Sequence, residues 1–270
     1  IYALVAYRKG RALCRFNPSF KLLYRVEENF LKEKGVGDFR CFTVDSRGTI
    51  FAAGNTENYT CIVKINQFGI ITEIIKIKQI PVLKSMAVND KGDLFLHSPQ
   101  ADFSVVTYRR DAESVEPFCS FPESLTGVDE RSALIEHDGL GGLFVVYENS
   151  PTCIMHYDET GEVTFKHEFS CSQKSVDALN VILDVSVDPA SGYLFVLRQT
   201  EYRKYRTVEV INSKGNSLGT ASVDNAIRRI CSDADNVLYS SGTDFSIWGI
   251  ISSLNLYGAI TLIRKNKIIY

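Results

Sequence analysis

Two carboxylates in apolar runs are the first candidates for chemistry. Glu136 lies in the run SALIEH and Asp184 in the run VILDVSV, and each run precedes a turn that contains Asp and Gly. Hard divalent cations take several oxygen ligands, and a bound metal can activate water for hydrolysis. The equivalent runs elsewhere carry Thr43, Ala87 and Ser232. Two carboxylates do not make a cage, so we expect no cofactor and interpret both residues as solvated or locally hydrogen-bonded; a metal-dependent hydrolase is the alternative.

The histidines are the next candidates for acid–base chemistry. Of the four, only His97 and His137 lie near the ends of the relevant strand-like runs, and no Ser or Cys has a nucleophile motif beside it. A Ser–His or Cys–His couple can still form between residues that are distant in sequence. We expect packed or exposed histidines and favour a protein that is not an enzyme.

One stretch interleaves basic and aromatic side chains. Residues 197–208 read LRQTEYRKYRTV, and a second basic loop, RKGR, covers residues 8–11. Basic groups beside aromatic rings could contact phosphates and stack on bases, which makes RNA a candidate partner. Four other loops of the same kind carry acidic residues, namely Glu57, Asp102, Glu148 and Asp244. This mixed charge favours a solvated hairpin or a protein partner over a uniform RNA-binding face.

Composition indicates an ordered chain that is not a general nucleic-acid coat. The 270 residues include 45% apolar and 23% charged residues, with a net charge of −2, and such usage is typical of globular domains. No signal peptide is visible, and no apolar run approaches the roughly 20 residues that span a bilayer. Because the chain begins at Ile1, we expect it to be part of a larger protein.

The cysteines suggest a reducing compartment. Seven are scattered along the chain without CxxC spacing, which argues against a metal site or a fully paired disulfide framework. Unpaired thiols pack as small hydrophobic groups. The pattern therefore favours a cytoplasmic location.

Internal repetition is the strongest feature of the sequence. A turn followed by Ile or Leu and then Phe or Tyr recurs six times, with the apolar runs beginning at residues 1, 50, 94, 143, 194 and 238. A period of roughly 40–50 residues is typical of four-stranded propeller blades. Sequences such as DSRG and NQFG flank the runs. They are typical of tight turns, because Asp and Asn side chains bond the nearby backbone and Gly supplies a positive φ.

The repeat predicts an all-β fold, a six-bladed β-propeller of four-stranded antiparallel blades. We expect a single domain over residues 1–270 with blades near residues 1–38, 39–80, 81–126, 127–174, 175–224 and 225–264. The first unit lacks its first strand, and we predict that residues 265–270 supply it. This pairing of the N- and C-terminal segments would close the ring and leave no open edge.

The units resemble NHL-type and related six-bladed β-propellers. The resemblance rests on a turn Gly, an apolar-aromatic strand and a later polar turn, seen in residues 48–51 with 66–69, 142–145 with 158–161, and 192–196 with 212–215. It implies a binding platform for many members, RNA binding for some, and metal-dependent lactonase or esterase activity for some relatives. A propeller fold does not name its own function.

We therefore expect a non-enzymatic interaction domain that binds a protein or peptide through its loop faces. RNA binding and a lactonase- or esterase-like hydrolase, the latter using Glu136 and Asp184, are the alternatives. The predicted contact residues lie in three of the loops and are Arg8, Lys9, Arg11, Asn55, Glu57, Tyr202, Arg203, Lys204, Tyr205 and Arg206.

Overall fold

The computed structural model is all-β apart from one short helix in its described part. It describes residues 2–7, 10–17, 21–80, 82–122, 132–147, 153–169, 181–200, 205–223, 225, 227–232, 237–242, 246–251 and 261–267. The chain divides into two compact units, Ile1–Gly127 and Val128–Tyr270. No helix in the described part is long and apolar enough to cross a membrane.

The first unit contains three antiparallel sheets, in which each strand pairs with its neighbour in sequence. Sheet A comprises β1 (Tyr2–Tyr7), β2 (Gly10–Phe16) and β3 (Leu22–Glu27), and α1 (Glu28–Glu33) follows it. Sheet B comprises β4 (Asp38–Val44), β5 (Ile50–Asn55), β6 (Thr60–Ile65) and β7 (Ile71–Ile77). Sheet C comprises β8 (Ser85–Val88), β9 (Leu94–His97), β10 (Val105–Arg109) and β11 (Ser114–Cys119).

The second unit contains three four-stranded antiparallel sheets. Sheet D comprises β12 (Ala133–His137), β13 (Leu143–Tyr147), β14 (Cys153–Tyr157) and β15 (Val163–Glu168). Sheet E comprises β16 (Val181–Asp188), β17 (Tyr193–Thr200), β18 (Tyr205–Ile211) and β19 (Ser217–Val223). Sheet F comprises β20 (Ile227–Ser232), β21 (Val237–Gly242), β22 (Ser246–Ile251) and β23 (Thr261–Lys267). The first strands of consecutive sheets contact each other in both units: β4 contacts β8, and β16 contacts β12 and β20.

The described residues form five four-stranded blades, and the prediction of six such blades is wrong. Sheet A has three strands in the described part of the chain. The predicted closure is also wrong for residues 265–267, because β23 pairs with β22 from Thr261↔Ile251 to Lys267↔Ser246. An antiparallel hairpin joins strands that are adjacent in sequence, so β22 takes the last strand as its own partner. Residues 268–270 lie outside the described residues.

The predicted turn chemistry is confirmed. In the turn between β4 and β5, Asp45 Oδ1 accepts hydrogen bonds from the backbone N–H groups of Arg47 at 3.0 Å and Thr49 at 2.7 Å. Gly48 then adopts a φ of 77°, which side chains with a Cβ rarely tolerate. Asn66, Asn89, Asp138, Asp158 and Asn212 make the same pair of bonds.

Aromatic side chains fill the space between consecutive sheets. Phe51, Phe144 and Phe195 occupy the same position in three repeats, and each is at most 2% exposed. Phe51 packs with residues of sheet C, Phe144 with sheet E and Phe195 with sheet F. Burying side chains of this size is the main stabilising contribution of such a core.

The described cysteines form no disulfide. Four of them, Cys14, Cys61, Cys119 and Cys153, are buried in strands, and burial raises the pKa of the Cys153 thiol to about 11. A thiol with a raised pKa is a poor nucleophile at neutral pH, because the thiolate is the reactive form. These residues therefore act as small apolar groups, while Cys171 lies outside the described residues.

Candidate functional site

A groove of about 350 Å³ lies in the first unit along the outer strands of sheet C. Its floor follows a cross-strand row in which Val106 on β10 pairs with Leu96 on β9 and with Pro117 on β11. Ile80, in the connection from sheet B, and Phe103, in the β9–β10 loop, complete the apolar lining. We call this cavity the sheet C groove.

The edge strand explains the shape of the groove. The β10–β11 register shifts between Val105 and Val106, opposite Cys119 and Pro117, and such a bulge bends the strand locally. Pro117 has no backbone N–H, which an outermost strand tolerates because no further strand needs it. The bulge adjoins Val106, and both Val106 and Pro117 line the groove. The local sequence of β10 and β11 therefore shapes the cavity.

The floor and the rim of the groove differ in character. Leu96 and Ile80 are 1% and 2% exposed, whereas Phe103 is 38% exposed at the edge of the cavity. Two acidic residues, Asp102 and Glu116, also line it. Glu116 is engaged by Arg109 at 3.7 Å, whereas Asp102 forms no ion pair in the described part of the chain. The groove therefore combines an apolar floor with one available carboxylate.

Ser98 is the unusual residue of the lining. It is 2% exposed, and its hydroxyl oxygen has no hydrogen-bond partner among the described residues. Buried polar atoms are nearly always satisfied, and an orphan hydroxyl carries a desolvation cost. Ser98 is thus a polar group at the groove that a bound molecule could satisfy.

His97, one of the two histidines noted at strand ends, holds the loop that forms this wall. The ring is fully buried, and its Nδ1 lies 2.6 Å from the carbonyl oxygen of Ser104. Its own carbonyl accepts the backbone N–H of Lys84 at 2.9 Å. Because a carbonyl only accepts, Nδ1 must carry the proton. His97 therefore positions the loop between residues 97 and 104.

The predicted loop residue Asn55 is engaged within the first unit. Its Oδ1 accepts hydrogen bonds from the hydroxyl of Thr60 and the backbone N–H of Leu83, both at 3.0 Å. Its Nδ2 donates to the carbonyl of Leu83 at 3.3 Å. Asn55 thus ties sheet B to the segment that enters sheet C, whereas Glu57 is exposed in the adjoining turn.

The structure does not gather the predicted basic residues into one described surface. Arg11 makes a bidentate bond to Glu28, at 2.9 and 2.7 Å, and this hydrogen bond is the main cause that lowers the pKa of Glu28. Arg206 is 5% exposed and donates to the carbonyl of Ile227. Tyr205 begins β18, and its side chain is outside the described part. Other predicted contact residues also lie outside the described residues: Arg8, Lys9, Tyr202, Arg203 and Lys204.

The two predicted carboxylates lie on first strands of neighbouring sheets in the second unit. Burial, reinforced by the negative charge of Asp184, raises the pKa of Glu136 to about 8. Asp184 Oδ2 accepts the backbone N–H of Ile230 at 2.7 Å, and its Oδ1 lies 3.6 Å from Arg229. Glu136 is therefore mostly protonated at neutral pH and could donate a proton. In the described ranges, no group of three His, Cys, Asp or Glu side chains could hold a metal ion.

Sequence reasoning missed an Asp–His–Thr chain at sheet D, in which Asp138 and His156 are buried and Thr164 is exposed. His156 Nε2 lies 3.0 Å from Asp138 Oδ2, and its Nδ1 lies 2.5 Å from the hydroxyl of Thr164. The ring stacks on Phe165 at 5.3 Å between centroids. The turn motif predicts that Asp138 bonds the backbone of its own turn. No local feature of the sequence predicts its contact with His156 on β14. Each polar atom of the ring is used within the sheet, which indicates a stabilising network.

No protein-family model matches the chain, and no curated protein matches it. Among solved structures, virginiamycin B lyase from Staphylococcus aureus matches with a TM-score of 0.61 and 14% identity, over 99% of this chain and 84% of that chain. A chain of the nidogen/laminin complex matches with a TM-score of 0.63 and 13% identity, over 93% of this chain and 89% of that chain. The Neurospora crassa Pan2 WD40 domain matches with a TM-score of 0.57 and 9% identity, over 93% of this chain and 72% of that chain. Identities this low establish the fold alone, which is a β-propeller.

Proposed function

We propose that the chain is a non-enzymatic β-propeller domain of the NHL-type group that binds an extended segment of a protein partner, and that the sheet C groove is the contact site. The observation that carries the proposal is the groove of about 350 Å³ with an apolar floor and the unpartnered hydroxyl of Ser98. Ligand sites usually measure about 300–1,000 Å³ and combine apolar walls with a few polar groups. The groove has this composition.

The lining indicates which peptide would bind. Val106, Val115 and Phe103, which are partly or well exposed, offer an apolar surface for one bulky side chain. The carboxylate of Asp102 adds a negative charge that complements a neighbouring Lys or Arg. The hydroxyl of Ser98 can bond one polar atom of the peptide backbone. The expected ligand is therefore a segment in which a basic residue lies beside a bulky apolar residue.

Strand addition to sheet C is a less favourable way of binding. The outermost strand β11 contains Pro117, which cannot donate a hydrogen bond to an added strand. Charged Glu116 beside it discourages edge pairing as well. Recognition by side chains in the groove thus suits this edge better than backbone pairing.

The test is selection from a displayed library of random peptides, followed by fluorescence titration of a selected peptide. We expect selected sequences to pair an apolar with a basic residue. Phe103→Ala and Asp102→Asn should each weaken binding about tenfold, a change of about 1.4 kcal/mol. Phe68→Ala and Asp111→Asn are the controls, because both residues are exposed and lie outside the groove lining. Equal binding by all four variants would refute the proposal.

A metal-dependent lactonase or esterase is the second candidate, and one observation favours it. The carboxyl group of Glu136 has a pKa of about 8 beside Asp184, and such perturbed groups occur frequently at active sites. Against it, Asp184 is already bonded to Ile230 and Arg229. Ester and lactone hydrolysis that requires an added divalent metal and is lost in Glu136→Gln would support an enzyme, and no hydrolysis with any metal would exclude this candidate.

RNA binding is supported by fewer observations. Arg11 and Arg206 are engaged by Glu28 and by the carbonyl of Ile227, so neither guanidinium is available without breaking an internal contact. Contact with RNA would then depend on Tyr202, Arg203 and Lys204 and on Arg8 and Lys9. A salt-dependent mobility shift with RNA that Arg203→Glu abolishes would support this candidate.

A further inference from the structure

A second cavity of about 80 Å³ lies among the hairpin turns of sheets B and C. It is lined by four basic side chains, namely Arg47, Lys64, Lys91 and Arg110. They come from four places: the β4–β5 turn, strand β6, the β8–β9 turn and the β10–β11 turn. The cavity is much smaller than a drug-sized site of about 300 Å³ and larger than the 10–15 Å³ or so that one water needs. Its size suits a small polyatomic ion.

The acidic residues nearby leave this cavity with positive charge to offer. Glu73 is shared by two cations, at 3.9 Å from Lys64 and 3.1 Å from Arg110. A single carboxylate cannot neutralise both. Lys64 is also well enclosed, with a side chain that is 17% exposed, and an enclosed ammonium gains more from a counter-ion than an exposed one.

Arg47 and Lys91, the basic residues of the β4–β5 and β8–β9 turns, add further positive charge to the cavity. Arg47 and Lys91 hold the same position in their turns, DSRG and NDKG, and neither forms an ion pair in the described ranges. Asp45 and Asp90 also line the cavity, so with Glu73 three carboxylates face four cations and one positive charge is left in excess. In the turn between β12 and β13 the equivalent residue is Leu140. Among turns between first and second strands, a basic residue at this position therefore distinguishes sheets B and C from sheet D.

We infer that the hairpin turns of sheets B and C form a binding pocket for a phosphate group, carried either by inorganic phosphate or by a small phosphate monoester. Guanidinium groups bind such oxyanions with two parallel hydrogen bonds, and an ammonium group contributes a compact charge. Arg47 and Lys91 would close on the anion from two turns, while Lys64 and Arg110 would hold it from inside. The pocket is formed by different residues from the sheet C groove, so each proposal can fail without the other.

The experiment is titration of the protein at low ionic strength with inorganic phosphate and with glycerol 3-phosphate, followed by calorimetry. The double variant Arg47→Gln/Lys91→Gln should bind at least tenfold more weakly than the native chain. Lys214→Gln is the matched control, because Lys214 holds the same position in a turn of sheet E and also has its N–H bonded to the first residue of the turn. This control should bind as the native chain does.

The two ligands distinguish the sources of the phosphate group. Equal affinity for both, lost in the double variant, indicates recognition of the phosphate alone, and tighter binding of glycerol 3-phosphate indicates a monoester ligand; both results support the pocket. No binding of either ligand at millimolar concentration, or equal weakening in Lys214→Gln and the double variant, would overturn it. Melting curves of each variant without ligand identify any loss of folding.

Discussion

Asp184 on β16 accepts a hydrogen bond of 2.7 Å from the backbone N–H of Ile230 on β20, the first strand of the next sheet. Two residues later, Ser186 Oγ accepts the backbone N–H of Ser232 at 2.8 Å. Side chains of β16 therefore accept hydrogen bonds from backbone N–H groups of β20. Strands within one sheet are instead joined by backbone–backbone hydrogen bonds. This arrangement assigns Asp184 a role in joining sheets E and F.

Asp184→Ala should destabilise the fold, because it leaves the N–H of Ile230 without its acceptor. Loss of a partner for a buried donor costs about 1–3 kcal/mol. Asp184→Asn keeps a side-chain oxygen at the same place and should cost less. Thermal unfolding followed by circular dichroism measures both, with the exposed Asp111→Ala as control. Equal melting temperatures for Asp184→Ala and the control would contradict the assignment.

Glu136 should make the protein less stable as the pH rises. Its folded pKa of about 8 lies above the ordinary carboxyl value, so between about pH 4.3 and pH 8 the unfolded chain has lost a proton that the folded chain keeps. Stability then falls with rising pH by about 1.4 kcal/mol per unit from this group. Glu136→Gln removes the ionisation and should be more stable than the native chain at pH 8. Melting temperatures from pH 4 to pH 9 that run parallel for the two proteins would refute this.

Asp138 should stabilise the protein at neutral pH and lose that effect in acid. Burial alone would raise the pKa of Asp138, but hydrogen bonds from His156 and from the backbone N–H groups of Leu140 and Gly142 outweigh burial and lower it. A lowered folded pKa gives stability that is present above the unfolded pKa of about 3.9 and is lost as the pH falls through the folded pKa. Asp138→Asn should therefore lower the melting temperature at pH 7.

The difference between Asp138→Asn and the native chain should shrink as the pH is lowered toward 3. His156→Leu is a second variant that removes the same bond from the other side. The two changes together should cost less than the sum of the single changes, since both break one interaction. Full additivity in melting experiments would show that the pair is not coupled.

Ser98→Ala should raise the stability of the free protein and lower its affinity for a peptide. Ser98→Ala removes a buried hydroxyl without a partner, so the free protein should gain up to about 1 kcal/mol of stability, while a peptide bonded to that hydroxyl should bind about threefold to tenfold more weakly. Thr107→Val is the matched control, because the hydroxyl of Thr107 also lacks a partner and is outside the groove lining. It should leave peptide affinity unchanged. Equal peptide affinity for Ser98→Ala and the native chain would remove Ser98 from the site.

Much of the fold could be predicted because its signals are local. An Asp or Asn followed three residues later by Gly makes its own turn through bonds that span two and four residues, as Asp45 and Asn66 do. Phe51 and its equivalents mark the strand that faces the next sheet. Both effects act within a few residues, so the repeat and the antiparallel strands follow from the amino-acid sequence alone.

The candidate sites depend on contacts between residues that are far apart in the chain. The groove needs Ile80 from one connection and Pro117 from an edge strand, and the raised pKa of Glu136 needs Asp184 on another sheet. The pairing of residues 265–267 likewise depends on tertiary structure. These residues pair with β22 and so belong to sheet F. Sequence by itself determined the strands and turns, because local bonds suffice for them. Only the tertiary structure decided the number of complete blades, the groove and the environment of each carboxylate, because packing and burial depend on every neighbour at once.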